Sequence, residues 1–268
     1  MCTIVAIKGV HPRYPLIVAA NRDEYYARAS SPPQVVHERP RAVAGLDLSR
    51  GGSWMGANER GVLVAVTNQR TYGGADPSRA SRGEIVIAAL AQPDVAGVDA
   101  LVRSIDAREY NSFNLIWGDA RALRVGYART EAREVEITEL ADGLHVLAND
   151  RMGSPEFPKS ARAEALALPL ALDPWERLAP ALAGVLADHQ RPALDDVPEP
   201  PEGSLFDRAT LRELQALCIH TPVYGTRSAT LLALEPGRVA HYLFADGPPC
   251  TAPFREITAL LHPPSVVG

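Results

Sequence analysis

Cysteine is scarce in this chain of 268 residues. The three cysteines, Cys2, Cys218 and Cys250, are odd in number and lie far apart in the sequence. Disulfide-stapled secreted domains carry an even number of closely spaced cysteines, whereas thiols stay reduced in the cytoplasm. The pattern therefore predicts free thiols and a cytoplasmic localisation.

An excess of basic residues is also missing. The lysines and arginines number 27 against 32 aspartates and glutamates, so the net charge is −5 at pH 7. A nucleic-acid-binding surface needs clustered cations to neutralise phosphates. We therefore predict no nucleic-acid partner.

Long apolar runs are absent too. The longest ones, "IVIAALA" and "ALALPLAL", are far shorter than the roughly 20 residues that a membrane-spanning helix needs. The N-terminal stretch "MCTIVAIKG" lacks the charged and apolar regions of a secretory signal. The sequence predicts no transmembrane segment and no secretory leader.

Several familiar site motifs do not occur. The chain has no GxxxxGK[ST], GxGxxG, HExxH or CxxC pattern, and "GGSWMG" only approaches a GxSxG elbow with the wrong spacing. The pair Cys218 and His220 is the one close Cys/His pair, and two ligands make a weak metal signal. We therefore expect packing or surface roles for Cys218, His220 and Cys250, and no metal site.

What the sequence does contain is a regular series of strand and helix patterns. Its composition, 46% hydrophobic and 22% charged residues, is typical of a globular protein. We expect one domain over residues 1–268, because the Pro-rich loop at 191–204 is the only candidate boundary. The predicted strands include "CTIVAIK", "PLIVAAN" and "FREITAL", and the predicted hairpins turn near 58–61, 118–119 and 236–237. The stretches "EVEITEL" and "GLHVLAND" are predicted to continue the sheet of the second hairpin. The predicted helices begin at Ser81, which has capping-box spacing with Glu84, and at Asp94, or lie within 159–189 and 207–217. Antiparallel hairpins with helices in blocks indicate an α+β fold rather than a doubly wound parallel one.

Cys2 is a candidate nucleophile. Aminopeptidases remove an initiator methionine when the next residue is small, and the mature chain would then start with a cysteine bearing a free α-amine. Such an amine has a pKa of about 7.7–8.0 and can take the thiol proton directly or through a water. The alternative interpretation is a small buried residue that begins a core strand.

The stretch "AANRDEYYAR" contains the second candidate group, Asn21 to Glu24. These four polar side chains would alternate faces at the end of the second strand, one strand away from Cys2. A cation such as Arg22 would lower the pKa of a nearby thiol. The alternative is a solvated strand end.

Three more polar residues lie at predicted strand ends. Asn68 follows "VLVAVT", Asn149 follows "LHVLA", and Arg227 opens a late strand after "YGT". Strand-end amides near a thiol are candidate donors to an oxyanion. Each residue alone is a weak signal, because Asn and Arg are common in turns.

The ordered motifs resemble the NRDE family, which is called transport and Golgi organisation protein 2 in animals. The motifs that carry this resemblance are "MCTIVAI", "AANRDEYYAR", "GGSWMGANERGVLVAVTNQR", "SRGEIV", "YNSFNLIWGD", "PKSARAE" and "YGTRSATLLAL". The resemblance extends from residue 1 to about residue 245. One departure is "HVLAND", where the family more often has Leu-Ser-Asn, although Asn149 stays in register.

The resemblance implies a four-layer αββα sandwich of the N-terminal nucleophile hydrolase type. Choloylglycine hydrolases and penicillin V acylases share that fold and also begin Met-Cys. Their pattern implies the following roles here: Cys2 as nucleophile, Arg22 as the cation beside the thiolate, Asp23 as the acid that orients the α-amine, Asn68 and Asn149 as oxyanion donors, and Arg227 as the residue that holds the group. The Arg and Asp are not adjacent in the acylases, so the pattern leaves open whether Asp23 or Glu24 is the functional acid.

Two functions follow from the resemblance. The first is an amidohydrolase that acts on a small amide and requires no cofactor. The second is a non-enzymatic carrier of haem, acyl-CoA or lipid that uses the same cleft; haem would be a cofactor or cargo only in that case. A small-molecule ligand is the expected partner in both.

Overall fold

The computed structural model describes residues 2–263, and its strands form two sheets. The strands within that range are β1 Thr3–Lys8, β2 Leu16–Tyr25, β3 Ser30–Glu38, β4 Arg41–Asp47, β5 Met55–Asn58, β6 Leu63–Asn68, β7 Phe113–Gly118, β8 Leu123–Ala128, β9 Glu136–Glu139, β10 Gly143–Leu147, β11 Tyr224–Glu235, β12 Arg238–Ala245 and β13 Arg255–Glu256. The helices are α1 Arg82–Leu90, α2 Val95–Ser104, α3 Pro158–Ala167, α4 Trp175–Leu186 and α5 Arg208–Glu213.

All strand pairings in the two sheets are antiparallel. The first sheet has the order β10-β1-β2-β11-β12-β13, and the second has the order β3-β4-β5-β6-β7-β8-β9. Side chains alternate along β1: Ile4 and Ala6 pack between the sheets, while Val5 and Ile7 pack against helices. A strand with both faces buried reads as a continuous apolar run, as "TIVAI" does.

The helices cover the two outer faces of the sheets. Residues of α3 and α4 pack on the first sheet, and residues of α1 and α2 pack on the second. The order of layers is helix, sheet, sheet, helix. The predicted α+β class and αββα sandwich are confirmed, while the assignment of one domain to residues 1–268 stays a prediction.

The strand that contains Asn21 to Glu24 does not end where the sequence pattern predicted. β2 continues through these residues to Tyr25, because β1 pairs with one of its edges and β11 with the other. Strand β11 opposes Arg22 with Ser228 and Tyr25 with Tyr224. The charged stretch is therefore interior sheet, and the interpretation of a solvated strand end is wrong.

Other local predictions also need correction. The sequence pattern does not predict strand β3, because the prolines in "SSPPQVV" argue against a strand. The structure tolerates them because β3 is an edge strand with an irregular register at Pro32 and Pro33. The stretches of β9 and β10 are both predicted to continue one sheet, but only β9 does so, and β10 pairs with β1 in the first sheet. Alternation of side chains predicts a strand but does not indicate which sheet the strand enters. The last strand is only Arg255–Glu256.

The predicted capping box at the start of α1 does not form. Ser81 is the N-cap residue, yet its side chain makes no capping hydrogen bond; its hydroxyl donates instead to the Gly51 carbonyl at 3.4 Å. At α2 and α5, Asp94 and Asp207 are the N-cap residues, and their side chains accept hydrogen bonds from the first turn. Between residues 2 and 263, none of the helices combines the length and hydropathy needed to cross a bilayer.

The loop "RGGSW" is fixed against the start of α1 by a close backbone approach. Gly52 has a φ of +78°, and a Cβ there would lie 2.2 Å from the carbonyl carbon of Gly83. Ser53 N–H donates to the Gly83 carbonyl at 3.0 Å. Only glycine combines this backbone conformation with this contact.

Gly52→Ala is therefore expected to destabilise the fold more than its neighbour Gly51→Ala. Gly51 has a similar φ of +71°, but a Cβ there meets nothing within 4 Å. Both substitutions incur the left-handed strain of roughly 1–2 kcal/mol, and Gly52→Ala adds an overpacking cost of about 1–3 kcal/mol. Urea unfolding of the two variants measures the difference, and equal losses would contradict the close contact.

Candidate active site

The register of the first sheet brings Cys2 beside Arg22. Thr3 pairs with Asn21 across β1 and β2, so Cys2 lies opposite Arg22. Alternation places Arg22 on the face toward the second sheet, with Ala20, and Asp23 on the helix-covered face, with Ala19. The predicted alternation of the "NRDE" side chains is thus found in the sheet.

Cys2 is half-buried and lines a cavity of about 280 Å³. Burial raises the pKa of its thiol, whereas the backbone N–H of Asp23 and the Arg22 guanidinium lower it. A thiol with a raised pKa is mostly protonated at neutral pH, so the thiolate needs a base to form. The geometry supplies a cation beside Cys2, which is the role predicted for Arg22.

Arg22 is held rigidly although it is charged. It is 5% exposed, its guanidinium lies 4.3 Å from the centre of the Trp54 ring, and it donates to the Ser30 hydroxyl at 3.3 Å. Burial lowers the pKa of Arg22, and the Cys2 thiol and Glu24 counteract this. The Trp54 face orients the guanidinium through a cation–π contact.

Asp23 faces away from Cys2 into the helix layer, where it meets a buried cation. Its Oδ1 accepts a hydrogen bond from the Thr226 hydroxyl at 2.7 Å, and its Oδ2 lies 4.0 Å from Lys159 Nζ. Burial raises the pKa of Asp23, while Lys159 and Thr226 lower it. Burial lowers the pKa of Lys159 in turn, and Asp23 raises it.

Glu24 has a different environment from Asp23. It ion-pairs with Arg28 at 3.2 Å, and Arg28 also contacts Asp47 at 2.6 Å. This chain of charges forms one wall of the Cys2 cavity. Glu24 is therefore engaged by Arg28 in the cavity wall, whereas Asp23 is the fully buried acid on the helix-covered face of β2.

The two predicted oxyanion donors have unequal positions. Asn68 is exposed to the cavity, and among residues 2–263 its side-chain amide has no hydrogen-bond partner. Asn149 is buried and donates through Nδ2 to the Asn68 backbone carbonyl at 2.6 Å. Asn149 thus holds Asn68 in place, and its own backbone carbonyl accepts from Arg70 N–H at 2.8 Å.

Arg227 is not brought to this group of residues. It lies at a bulge of β11, between Thr226 and Ser228, and its guanidinium donates to the Tyr26 carbonyl at 3.2 Å. It is absent from the described residues that line the Cys2 cavity. The bulge turns its side chain outward, and Thr226 and Ser228 take the buried positions.

Sequence reasoning missed two charged residues at the site. Lys159 lies in the first turn of α3 and is 1% exposed. Ala163 and Ala167 are buried on the same face of this helix, so helical periodicity could have indicated that Lys159 faces the interior. Arg82 lines the cavity at the start of α1, and burial, with Arg28 nearby, lowers its pKa to about 10. Both occur in motifs that carry the family resemblance, "PKSARAE" and "SRGEIV".

The Cys2 cavity continues into a larger and more apolar one of about 580 Å³. Both cavities share Glu24, Arg28, Asn68, Ala75, Arg82 and Asn111 in their walls. Apolar side chains such as Leu211, Leu214 and Val223 line the far end. The arrangement is a charged inner chamber with an apolar extension.

The sequence comparisons identify the relatives of this chain. Residues 1–243 match the profile of the family described as Transport and Golgi organisation 2. The chain belongs to this family. The Transport and Golgi organization protein 2 homolog of Bos taurus is 31% identical over 234 residues, which cover 83% of each chain.

Solved structures with the same architecture include the following two. A mutant conjugated bile acid hydrolase from Clostridium perfringens superposes with a TM-score of 0.52 at 11% identity, with 96% of each chain covered. Penicillin V acylase from Agrobacterium tumefaciens gives a TM-score of 0.52 at 13% identity, with 92% of this chain and 83% of that chain covered. At these identities the likeness establishes the fold alone.

Arg22→Met in this family member is expected to slow alkylation of Cys2 at neutral pH. Arg22 lowers the pKa of the thiol, so its loss raises that pKa and removes thiolate, about tenfold for each pKa unit when the pH lies below the pKa. Iodoacetamide labelling, followed by mass spectrometry of the Cys2 peptide, gives the rate against pH. Arg13→Met, at an arginine whose side chain is 66% exposed, is the control. An unshifted pH profile in Arg22→Met would exclude an effect of Arg22 on the thiol.

Proposed function

We propose that this chain is an amidohydrolase that uses Cys2 as an N-terminal nucleophile on a small N-acyl amide. The observation that carries the proposal is the placement of Cys2 and Arg22 in one chamber that opens into an apolar cavity. The chamber suits a polarised amide, and the apolar cavity suits the acyl part of the substrate. The two hydrolases with this fold support the same reaction class, since their names describe a conjugated bile acid hydrolase and a penicillin V acylase.

The proposed reaction has two steps. After removal of Met1, the α-amine of Cys2 takes the thiol proton, and the thiolate attacks the amide carbonyl carbon. The C–N bond breaks, the amine leaves with the proton from the α-ammonium, and a thioester to Cys2 remains. Water then attacks the thioester with the α-amine as base, which releases the acid and restores the thiol.

Each neighbouring residue has a proposed part in this reaction. Arg22 stabilises the thiolate, and Asp23 pairs with Lys159 on the opposite face of β2. Asn68 donates to the oxyanion of the tetrahedral intermediate, and Asn149 acts through Asn68 by holding its carbonyl. Arg227 is given no part, because its side chain lies on Tyr26.

The test needs the processed chain, so intact mass must first show that Met1 is absent. A panel of fluorogenic N-acyl amides with increasing acyl length is then assayed for amine release, and quenched samples are examined for an acyl group on the Cys2 peptide. We expect release that rises with acyl length until the apolar cavity is filled. Processed protein that neither releases amine nor acquires an acyl group across the panel would refute the proposal.

A second candidate, a carrier that binds without hydrolysis, is favoured by the size of the apolar cavity, about 580 Å³. An acyl chain fits such a lining better than haem does. Among the described residues that line the larger cavity, the side chains able to ligate haem iron are Tyr25 and Tyr224, and the more common haem ligands His, Cys and Met are not among them. Saturable binding of an acyl-CoA that survives Cys2→Ala, without turnover by the processed protein, would favour the carrier.

A further inference from the structure

A second group of reactive side chains lies away from the Cys2 cavity. His189, Cys218, His220 and Cys250 converge from three segments: the loop after α4, the segment before β11 and the loop after β12. One ligand atom from each residue lies within 4.8 Å of the other three. Across residues 2–263, this is the group of His, Cys and acidic side chains with the spacing of a metal site.

The ligand atoms of Cys218, His220 and Cys250 are separated by distances that match three edges of a tetrahedron. Cys218 Sγ lies 3.7 Å from Cys250 Sγ and 3.6 Å from His220 Nε2, and His220 Nε2 lies 3.3 Å from Cys250 Sγ. Bonds of about 2.3 Å to sulfur and about 2.0–2.1 Å to nitrogen at tetrahedral angles give edges of roughly 3.8 Å and 3.5 Å. The observed triangle agrees with these edges within about 0.3 Å.

The fourth ligand is oriented by a backbone hydrogen bond. His189 Nδ1 lies 3.0 Å from the Cys218 carbonyl oxygen, which makes Nδ1 the protonated nitrogen and leaves Nε2 free to bind a metal. The Cys218 N–H donates to the Asp188 carbonyl at 2.8 Å. The two ligand-bearing segments are thus already fastened together before any ion binds.

We propose that His189, Cys218, His220 and Cys250 form a tetrahedral Cys₂His₂ site for Zn²⁺. Two thiolates and two imidazoles are the donor set of structural zinc sites, and a set of four protein ligands leaves no position for substrate. Cys218 is buried while the other three residues are exposed, so an ion has a path in from solvent. The site is distinct from the proposed active site, because none of its ligands lines the Cys2 cavity.

One of the four ligands lies outside the part of the chain that matches the family. Cys250 lies beyond residues 1–243, the part that matches the family profile. The ion would connect the loop after β12 to the segment that carries Cys218, and this segment contacts β2 on one side of Cys218 and β11 on the other. Leu217 carbonyl accepts from Asn21 Nδ2 at 2.8 Å, and Ile219 N–H donates to Thr226 Oγ1, the hydroxyl that contacts Asp23.

Cobalt substitution tests the proposal without any activity assay. Purified protein is analysed for zinc, stripped with a chelator under reducing conditions, and titrated with Co²⁺. We expect about one zinc per chain, and a Co²⁺ complex that saturates at one equivalent with thiolate charge-transfer absorption and a tetrahedral ligand-field spectrum.

Variants assign the ligands. Cys250→Ser and His220→Asn change exposed residues and should fold, and each should weaken Co²⁺ binding by roughly 10–100-fold or more, since loss of a group that only orients a ligand already has that effect. Cys2→Ser and His262→Ala remove a thiol and an exposed imidazole outside the site and should bind Co²⁺ as the parent does. Absence of the charge-transfer band in the parent, a band of full intensity with unchanged Co²⁺ affinity in Cys250→Ser, or a Cys218–Cys250 disulfide in protein purified with a thiol reductant would each overturn the proposal.

Discussion

Lys159→Met is expected to destabilise the protein by about 3–5 kcal/mol at neutral pH. The substitution keeps the length of the side chain but removes a buried ammonium 4.0 Å from the buried Asp23 carboxylate. Breaking a buried charge pair by removal of one partner has a cost of about this size, because the remaining charge stays desolvated. Urea unfolding followed by circular dichroism gives the free energy of unfolding.

The pH dependence of this loss has a definite sign. Burial raises the pKa of Asp23, and the Lys159 ammonium opposes that rise. Without the ammonium the folded-state pKa rises further, so the folded variant binds a proton that the unfolded chain has released. The destabilisation therefore grows as pH rises above the unfolded value of about 3.9, and it shrinks in more acidic solution, where Asp23 is protonated in both states.

A double variant separates the charge effect from packing. Lys159→Met combined with Asp23→Asn removes both charges, and replacement of a whole buried pair is often neutral. We expect the double variant to recover most of the lost free energy of unfolding. If it is as unstable as Lys159→Met, the cost lies in the packing of α3 and not in the pair.

Cys2→Ala is expected to lower the rate of amide hydrolysis by a factor on the order of 10⁴ or more. The substitution removes the atom that forms the thioester, and loss of a nucleophile leaves only the rate from binding and oxyanion stabilisation. Single-turnover amine release by processed protein measures the effect. Circular dichroism and urea unfolding check that the fold is kept.

Two further variants, with a smaller expected effect and with none, test whether the loss of rate is specific to Cys2. Asn68→Ala removes one oxyanion donor and should lower kcat by about 10²–10³-fold, while Arg13→Gln should have no effect, because its side chain is largely exposed away from the cavity. Equal rates for Cys2→Ala and the parent would show that hydrolysis does not pass through Cys2. An Asn68→Ala variant as fast as the parent would remove Asn68 from the mechanism and leave the role of Cys2 intact.

The sequence predicted the sheet-forming parts of the site well, because local patterns determine them. The hairpins at Asn58–Gly61 and Pro236–Gly237 carry their own turn residues, and the αββα layering followed from the ordered family motifs. The position of Cys2 beside Arg22 follows from two adjacent antiparallel strands. These features depend on neighbours in sequence or on neighbouring strands.

The missed features depend on contacts between distant segments. Lys159 is a charged residue in a helix, and only the fold shows that it faces Asp23, 136 positions earlier (159 − 23). The four residues of the proposed zinc site are spread from His189 to Cys250, without the short spacings that reveal such sites in a sequence. Arg227 was displaced by a single bulge, which strand patterns do not reveal.

The interior position of β2 has a consequence for how the site moves. Because β1 and β11 pair with the strand that carries Arg22 and Asp23, these residues open only when the sheet itself opens, which requires a free energy near that of global unfolding. The cavity walls at Ala75 to Pro77 and at Val223 come from loops, and loops open at far smaller cost. We therefore expect the loops to control entry and release of any ligand, while the residues around Cys2 keep one arrangement.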